Sequence, residues 1–191
     1  MTTFPDTVCI AFAGSREIAH GPLTQVAAKV KRHVEKHPEA ALLVFDAASS
    51  SPVEIDLRGT VDAVVQRLKS ASAKAQSRPS GPGRPKLGVV SREVSLLPRH
   101  WEWLALQGSG ASATLRKLIE DAKKKNSAQD QVRQSQNATY KFMSAMAGDL
   151  PLYEEALRAF YAKNRVLFET LIAPWPKDIQ EHIRRLSIHA L

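Results

Sequence analysis

One stretch, Lys69 to Gly88 (KSASAKAQSRPSGPGRPKLG), limits what this chain can fold into more than any other feature. It is built from Ser, Ala, Pro, Gly and basic residues and has no periodic apolar face, so it reads as a tether between folded parts. The apolar patterning on either side must then close its own cores. A chain of 191 residues is long enough for one medium domain or two to three small ones. The expected class is α+β, in four parts: an α/β accessory domain over 1–69, a flexible basic linker over 70–88, a strand-helix-helix segment over 89–127 and a C-terminal helical bundle over 128–191.

In the first part, Val8 to Ala13 (VCIAFA) is a short apolar strand, and Gly14-Ser15 turns it into a second near Arg16 to Ala19. Gly21-Pro22 opens a helix to about Lys36 whose Leu23, Val26, Ala27, Val30 and Val34 fall at three- and four-residue spacing. His37-Pro38 stops it. Ala41 to Phe45 is the next strand. Val53, Ile55 and Leu57 alternate with Glu54 and Asp56 as on a half-buried strand. After Gly59-Thr60 a helix carries Val61, Val64, Val65 and Leu68 on one face, which gives a ββαββα order. From Asp130 the pattern is helical throughout. One stretch runs to about Ala147 with Tyr140, Phe142, Met143 and Met146, and Gly148 ends it. A second starts at Leu150-Pro151 with Tyr153, Leu157, Phe160 and Tyr161. A third holds Val166, Leu167, Leu171 and Ile172 before Pro174-Trp175-Pro176, and a last runs from Lys177 to about Ser187. These aromatic and Met stripes read as core packing, not as a cofactor pocket.

The formal net charge is +8, and it is not spread evenly. Residues 1–70 are neutral, residues 71–127 hold 11 basic against 4 acidic side chains, and residues 128–191 are net +1. A basic balance that served solubility alone would be distributed. Concentration in one segment is the footprint of a polyanion contact, with a solvated basic linker as the plain alternative.

Within that segment, Val89 to Leu97 (VVSREVSLL) is rich in β-branched residues and Pro98 closes it. Arg99 to Gln107 suits a short helix with Trp101, Leu104 and Ala105 on one face. Gly108-Ser109-Gly110 is a turn, and Ser112 is placed to cap a second helix to about Lys125 carrying Leu115, Leu118, Ile119 and Ala122. On SLLPRHWEWL and GSGASATLRKLIEDA, residues 89–126 resemble the ribbon-helix-helix DNA-binding fold. The resemblance implies a homodimer, because one strand and two helices cannot bury a core alone and two strands can pair into a ribbon that fits the major groove. It implies phosphate held at the start of the second helix by Ser109, Gly110, Ala111 and Ser112. Arg84, Lys86, Arg92 and Arg99 are placed to add phosphate contacts, and Ser95 and Arg116 complete the candidate DNA-binding set. If Val94 and Leu96 face the core, Glu93, Ser95 and Leu97 point outward; if Leu97 faces the core, Arg92, Val94 and Leu96 do. Neither set reads base edges well, so contact with the phosphate backbone is expected more than sequence recognition. Gly83-Arg84-Pro85-Lys86 resembles the core of an AT-hook, with Pro82 where that element carries a basic residue.

Over nearly the full length, GRPKLGVVSREVSLLPRHWEWL, EIDLRGT and IAPWPKDI resemble an uncharacterised bacterial family, a domain-of-unknown-function group. That resemblance implies a bacterial source and transfers no activity.

Chemistry is sparse elsewhere. His33 and His37 lie four apart on a helix, but HVEKH lacks metalloprotease spacing and two ligands make a poor metal site. Cys9 in an apolar strand reads as a small buried side chain. Asp46, Glu54 and Asp56 near strand ends read as carboxylates solvated at the surface, and His100 and His182 have no evident partner. GSGAS is no P-loop, and neither a nucleophile elbow nor a dinucleotide fingerprint occurs. No catalytic residue, metal or cofactor is expected, and the chain reads as a non-enzyme. An enzyme built on Asp46, Asp56 and His20 would need a cleft that gathers them. No run of eighteen apolar residues predicts a membrane span, and Met1 to Thr7 do not resemble a secretory leader. With a lone cysteine, the cytoplasm is the expected location. The expected function is a dimeric DNA-binding protein, a regulator or nucleoid-associated factor. The competing expectation is a homodimeric adaptor without nucleic-acid contact, whose outer domains recruit protein partners.

Overall fold

The central strand β1 (Val8–Ala13) is apolar on both faces because both are covered. It pairs antiparallel with β2 (Arg16–Pro22) on one side and with β3 (Leu42–Asp46) on the other, in the order β2-β1-β3. Ile10 stands opposite His20 and Phe45, and an extra residue on β2, Ile18, makes a bulge beside Ala11 and Phe12. The β1–β2 turn needs Gly14, whose φ is +56° and whose N–H donates to the Ala41 carbonyl at 2.9 Å. The computed structural model describes residues 7–76, 90 and 92–191. Among them the chain has three strands and seven helices and divides into two compact units, 1–77 with 131–191, and 78–130.

In the first unit, Cys9 and Ala11 face α1 (Leu23–Lys36), where Leu23, Val26 and Val30 form the stripe the sequence predicts. Ile10, Phe12 and Phe45 face the other way, into a core with Phe142, Phe160, Phe168 and Ile172. The N-terminal α/β segment and the C-terminal helices, assigned to separate domains above, therefore share one core. The Phe142 ring centroid lies 5.3 Å from Phe12 and 5.5 Å from Phe45, the second pair edge-on, as aromatic quadrupoles prefer.

The fourth expected strand does not form. Residues 53–57 keep alternating burial, with Val53, Ile55 and Leu57 on the α1-side core. The segment meets β3 through a Phe45–Pro52 bridge, the Val53 N–H to Val44 carbonyl bond of 2.8 Å and the Asp46 N–H to Ser51 carbonyl bond of 2.9 Å. Pro52 lacks the N–H that a ladder needs at that point. Helix α2 (Val61–Gln76) starts as expected but runs eight residues into the presumed tether, because Lys69 to Gln76 contain only helix-tolerant Lys, Ser, Ala and Gln. The remainder of the linker, 77–88, lies outside the described residues, as do Val89 and Ser91 of the expected strand.

The C-terminal helices α5 (Tyr153–Tyr161), α6 (Arg165–Ile172) and α7 (Lys177–Ser187) follow the predicted breaks. In α6 the buried side chains are Phe168 and Ile172, whereas Val166 and Leu167 are exposed. Asn164 caps this helix by accepting from the Leu167 N–H at 3.1 Å. Trp175, from the helix-breaking Pro-Trp-Pro, is buried and donates its indole N–H to the Pro151 carbonyl at 2.8 Å.

The second unit differs most from expectation. Among residues 90 and 92–97 no strand forms, although Leu97 is extended at φ −65°, ψ 150°. A strand exists through its ladder partner, and no described strand of this chain pairs here. Helix α3 (Pro98–Ala105) begins on Pro98, one residue before the expected start at Arg99, with the proline in its first turn. The next helix does not stop near Lys125. Helix α4 (Ala111–Met146) is a single run of 36 residues, since Lys123 to Gln134 contain neither Gly nor Pro to end it. A ribbon-helix-helix unit is thus not completed within one chain.

Candidate functional site

Two places gather chemically capable side chains, one in each unit. In residues 78–130, Arg92 and Ser95 are exposed on the extended segment, and Arg99 is exposed in the first turn of α3. None of the three forms a side-chain hydrogen bond or ion pair with another described residue. Gly110, at φ +76°, precedes α4, and its N–H is already donated to the Gln107 carbonyl at 3.0 Å. Ser109 Oγ lies 3.0 Å from Thr114 Oγ1, which donates to the Gly110 carbonyl. Ser112 is not the cap, because α4 begins at Ala111 and places it in the first turn. The backbone donors at the helix start are therefore those of Ala111, Ser112 and Ala113, a set shifted by two residues from the predicted one. Arg116 is exposed, and its Nε donates to the Ser112 carbonyl at 3.1 Å. Lys117, Lys123, Lys124 and Lys125 extend the cationic surface along α4, with Lys123 paired to Glu120 at 3.2 Å. Arg84 and Lys86 lie outside the described residues.

The same unit exposes its large apolar side chains: Val94, Leu97, Trp101, Trp103, Leu106, Leu118 and Ile119 are all between 45% and 82% accessible. Leu104 is its only buried large apolar residue among those described.

The second place was not singled out by sequence. In the first unit a cleft of about 340 Å³ is lined by His20 of β2, Ala47 and Ala48 after β3, Gln131, Gln134 and Ser135 of α4, and His182, Arg185 and Leu186 of α7 with the two residues that follow it in the lining, Ile188 and His189. His182 is 2% exposed, and its Nδ1 and Nε2 are both buried without a hydrogen-bond partner. Its ring sits edge-on to Phe142 at 4.5 Å and near Phe12 at 6.0 Å. Burial first, and then the neighbouring Arg185 and His20, push its pKa down to about 4, so the ring is neutral at physiological pH. Arg185 is fixed by Glu17 at 2.8 Å, and Asp178 accepts the Glu17 backbone N–H at 2.8 Å, which ties β2 to α7. One signal could have found this residue: Ile179, His182, Ile183 and Leu186 recur at helical spacing, and that puts an imidazole on the buried stripe.

The carboxylates considered above do not join this cleft. Asp56 is held between Arg58 at 2.8 Å and Arg67 at 3.5 Å, and the Arg58 hydrogen bond keeps its carboxyl well below the usual range. Asp46 Oδ1 accepts from the Ala48 and Ser49 N–H groups and the Ser49 hydroxyl. His33 and His37 stack at 4.8 Å, and no group of three potential ligands that could hold a metal occurs among the described residues. Cys9 is buried, and burial pushes its thiol up to about 11. No described helix is long and apolar enough to cross a membrane.

No curated protein and no solved structure matches the chain. A family model does, across residues 8–187, and that span takes in both units, the extended segment before α3 and the helix bearing His182. The near-full-length bacterial family read from GRPKLGVVSREVSLLPRHWEWL, EIDLRGT and IAPWPKDI is thereby given its identity: the chain belongs to the DUF2239 family, described as an uncharacterized protein conserved in bacteria.

Proposed function

We propose that the protein is a DNA-associating homodimer in which the 78–130 units of two chains join through their apolar faces. The carrying observation is that the most cationic segment of the chain is also the one that leaves Val94, Leu97, Trp101, Leu118 and Ile119 uncovered. Trp101 and these four aliphatic side chains are each close to half exposed or more, and exposed apolar patches on monomers mark interaction sites. A second copy supplies what one chain lacks: the extended 92–97 segments pair antiparallel into a ribbon, and α3 and the start of α4 cover it, the ribbon-helix-helix arrangement completed between chains. Arg92, Arg99, Arg116 and the lysines of α4 then double into a surface suited to duplex phosphates, with the first-turn N–H groups of Ala111 to Ala113 adding to it.

The test has two arms. Light scattering at micromolar concentration gives twice the chain mass, and Trp101→Glu halves it. A mobility shift with a 30-base-pair duplex appears at about 50 mM salt and fades by about 200 mM, as counterion release requires. Combined Arg92→Ala, Arg99→Ala and Arg116→Ala removes the shift and leaves the mass unchanged. A monomer under all conditions overturns the proposal. A dimer that shifts no DNA at low salt favours the second reading, a homodimeric adaptor, for which the exposed Trp103 and Leu106 on the face of α3 opposite Leu104 are the specific support.

A further inference from the structure

The cleft between β2, the turn after β3, the second half of α4 and the C-terminal end of α7 has no part in that proposal. Three properties of its lining point the same way. Among the described residues no Asp or Glu lines it, whereas Arg185, His20 and His189 do, with Gln131 and Gln134 as further N–H donors; Glu17 pairs with Arg185 from outside the lining. The carbonyl of Leu186, in the last turn of α7, accepts the Ser135 hydroxyl, so this acceptor is already satisfied. His182 also lines it, and its donor and acceptor nitrogens, buried beneath the cleft surface, are satisfied by nothing in the described chain. Buried polar groups in native proteins are almost always paired, so an orphaned imidazole beside a polar cleft is a group waiting for a partner from outside the chain.

We propose that this cleft binds a compact oxyanion, a phosphate monoester or a small carboxylate, with the His182 N–H donating from beneath and Arg185, His20, Gln131 and Gln134 closing around it. The size agrees: about 340 Å³ is at the lower end of small-molecule sites and holds an anionic group with a few carbons. The charge agrees as well, since Arg185, held by Glu17 at 2.8 Å, lines the cleft and no acidic side chain is among the described lining residues. Neutral His182 serves as a directional donor, and the net charge comes from the rim.

Full-length protein with ¹⁵N-labelled histidine is titrated at constant ionic strength with inorganic phosphate and, separately, with citrate, against sodium chloride as control. The expected result is a saturable shift of the His182 ring signals with one or both oxyanions and none with chloride; which of the two binds tighter names the class. By calorimetry, His182→Phe, which keeps an aromatic ring against Phe12 and Phe142, weakens binding about tenfold or more, the loss of one hydrogen bond to a charged group. Gln134→Ala, at an exposed rim position, weakens it by a smaller factor and serves where the His182 variant misfolds. Failure of both oxyanions to saturate the wild-type protein, or a folded His182→Phe protein that binds as well as wild type, overturns the proposal. Neither result bears on the dimer or on DNA.

Discussion

At the scale of single residues, His182 departs from what stability alone would select. An imidazole with two unpaired nitrogens in an aromatic cluster loses hydrogen bonds to water and gains none, at about 1–3 kcal/mol for an unsatisfied group. Its pH signature follows from the direction of its shift. The folded-state value, about 4, lies below the ordinary 6.5, so the unfolded chain binds a proton more readily. The stability this group preserves is fully present above pH 6.5 and is lost as pH falls toward 4, in total roughly 3 kcal/mol. Replacing His182 with Phe should therefore raise the melting temperature at neutral pH by a few degrees and flatten the wild-type decline between pH 6.5 and 4. Calorimetric scans across that range check both. An unchanged acid slope in the variant would mean that another group carries it.

At the scale of elements, what the sequence made legible was set by punctuation. Gly14, Pro22, Gly148, Pro151 and Pro174 each stand where an element begins or ends, and the strands and helices they bound were readable. Where punctuation is missing the reading failed. Nothing between Lys123 and Gln134 marks a stop, and the loss of an apolar stripe there resembled a gap; the structure carries α4 straight through. Val53 to Leu57 show the converse: their alternation is real in burial, yet alternation fixes which side chains face inward and not whether a ladder forms. The candidate site divides the same way. The cationic segment could be read from charge, whereas the cleft draws on β2, α4 and α7, which no local pattern brings together. Continuity of α4 is testable at exposed Ala128. A proline there would be harmless in a loop between two helices, but within one helix it removes a hydrogen bond and clashes with the preceding turn. Ala128→Pro should cost about 3 kcal/mol and visibly reduce far-UV ellipticity, and wild-type ellipticity in the variant would refute the single helix.

At the scale of the molecule, the two units face opposite problems. The first buries both faces of its sheet, and Phe142 joins the two sides of that core with Phe12 and Phe45. The second has Leu104 as its one buried large apolar side chain among the described residues, too little to hold α3 and the start of α4 by themselves. In the proposed dimer its order comes from association, and mass action then makes that order depend on concentration. Hydrogen exchange separates the alternatives within one helix. Amides of 135–146, in the first unit, should be protected at every concentration. Those of 114–128 should exchange rapidly in dilute protein and slow down as concentration rises through the dimerisation range. Trp101→Glu should abolish this slowing and leave 135–146 untouched, because it removes the apolar contact without disturbing the other core. Protection of 114–128 that is high and independent of concentration would mean that the unit stands alone, and the doubled cationic surface on which the DNA proposal rests would have no structural basis.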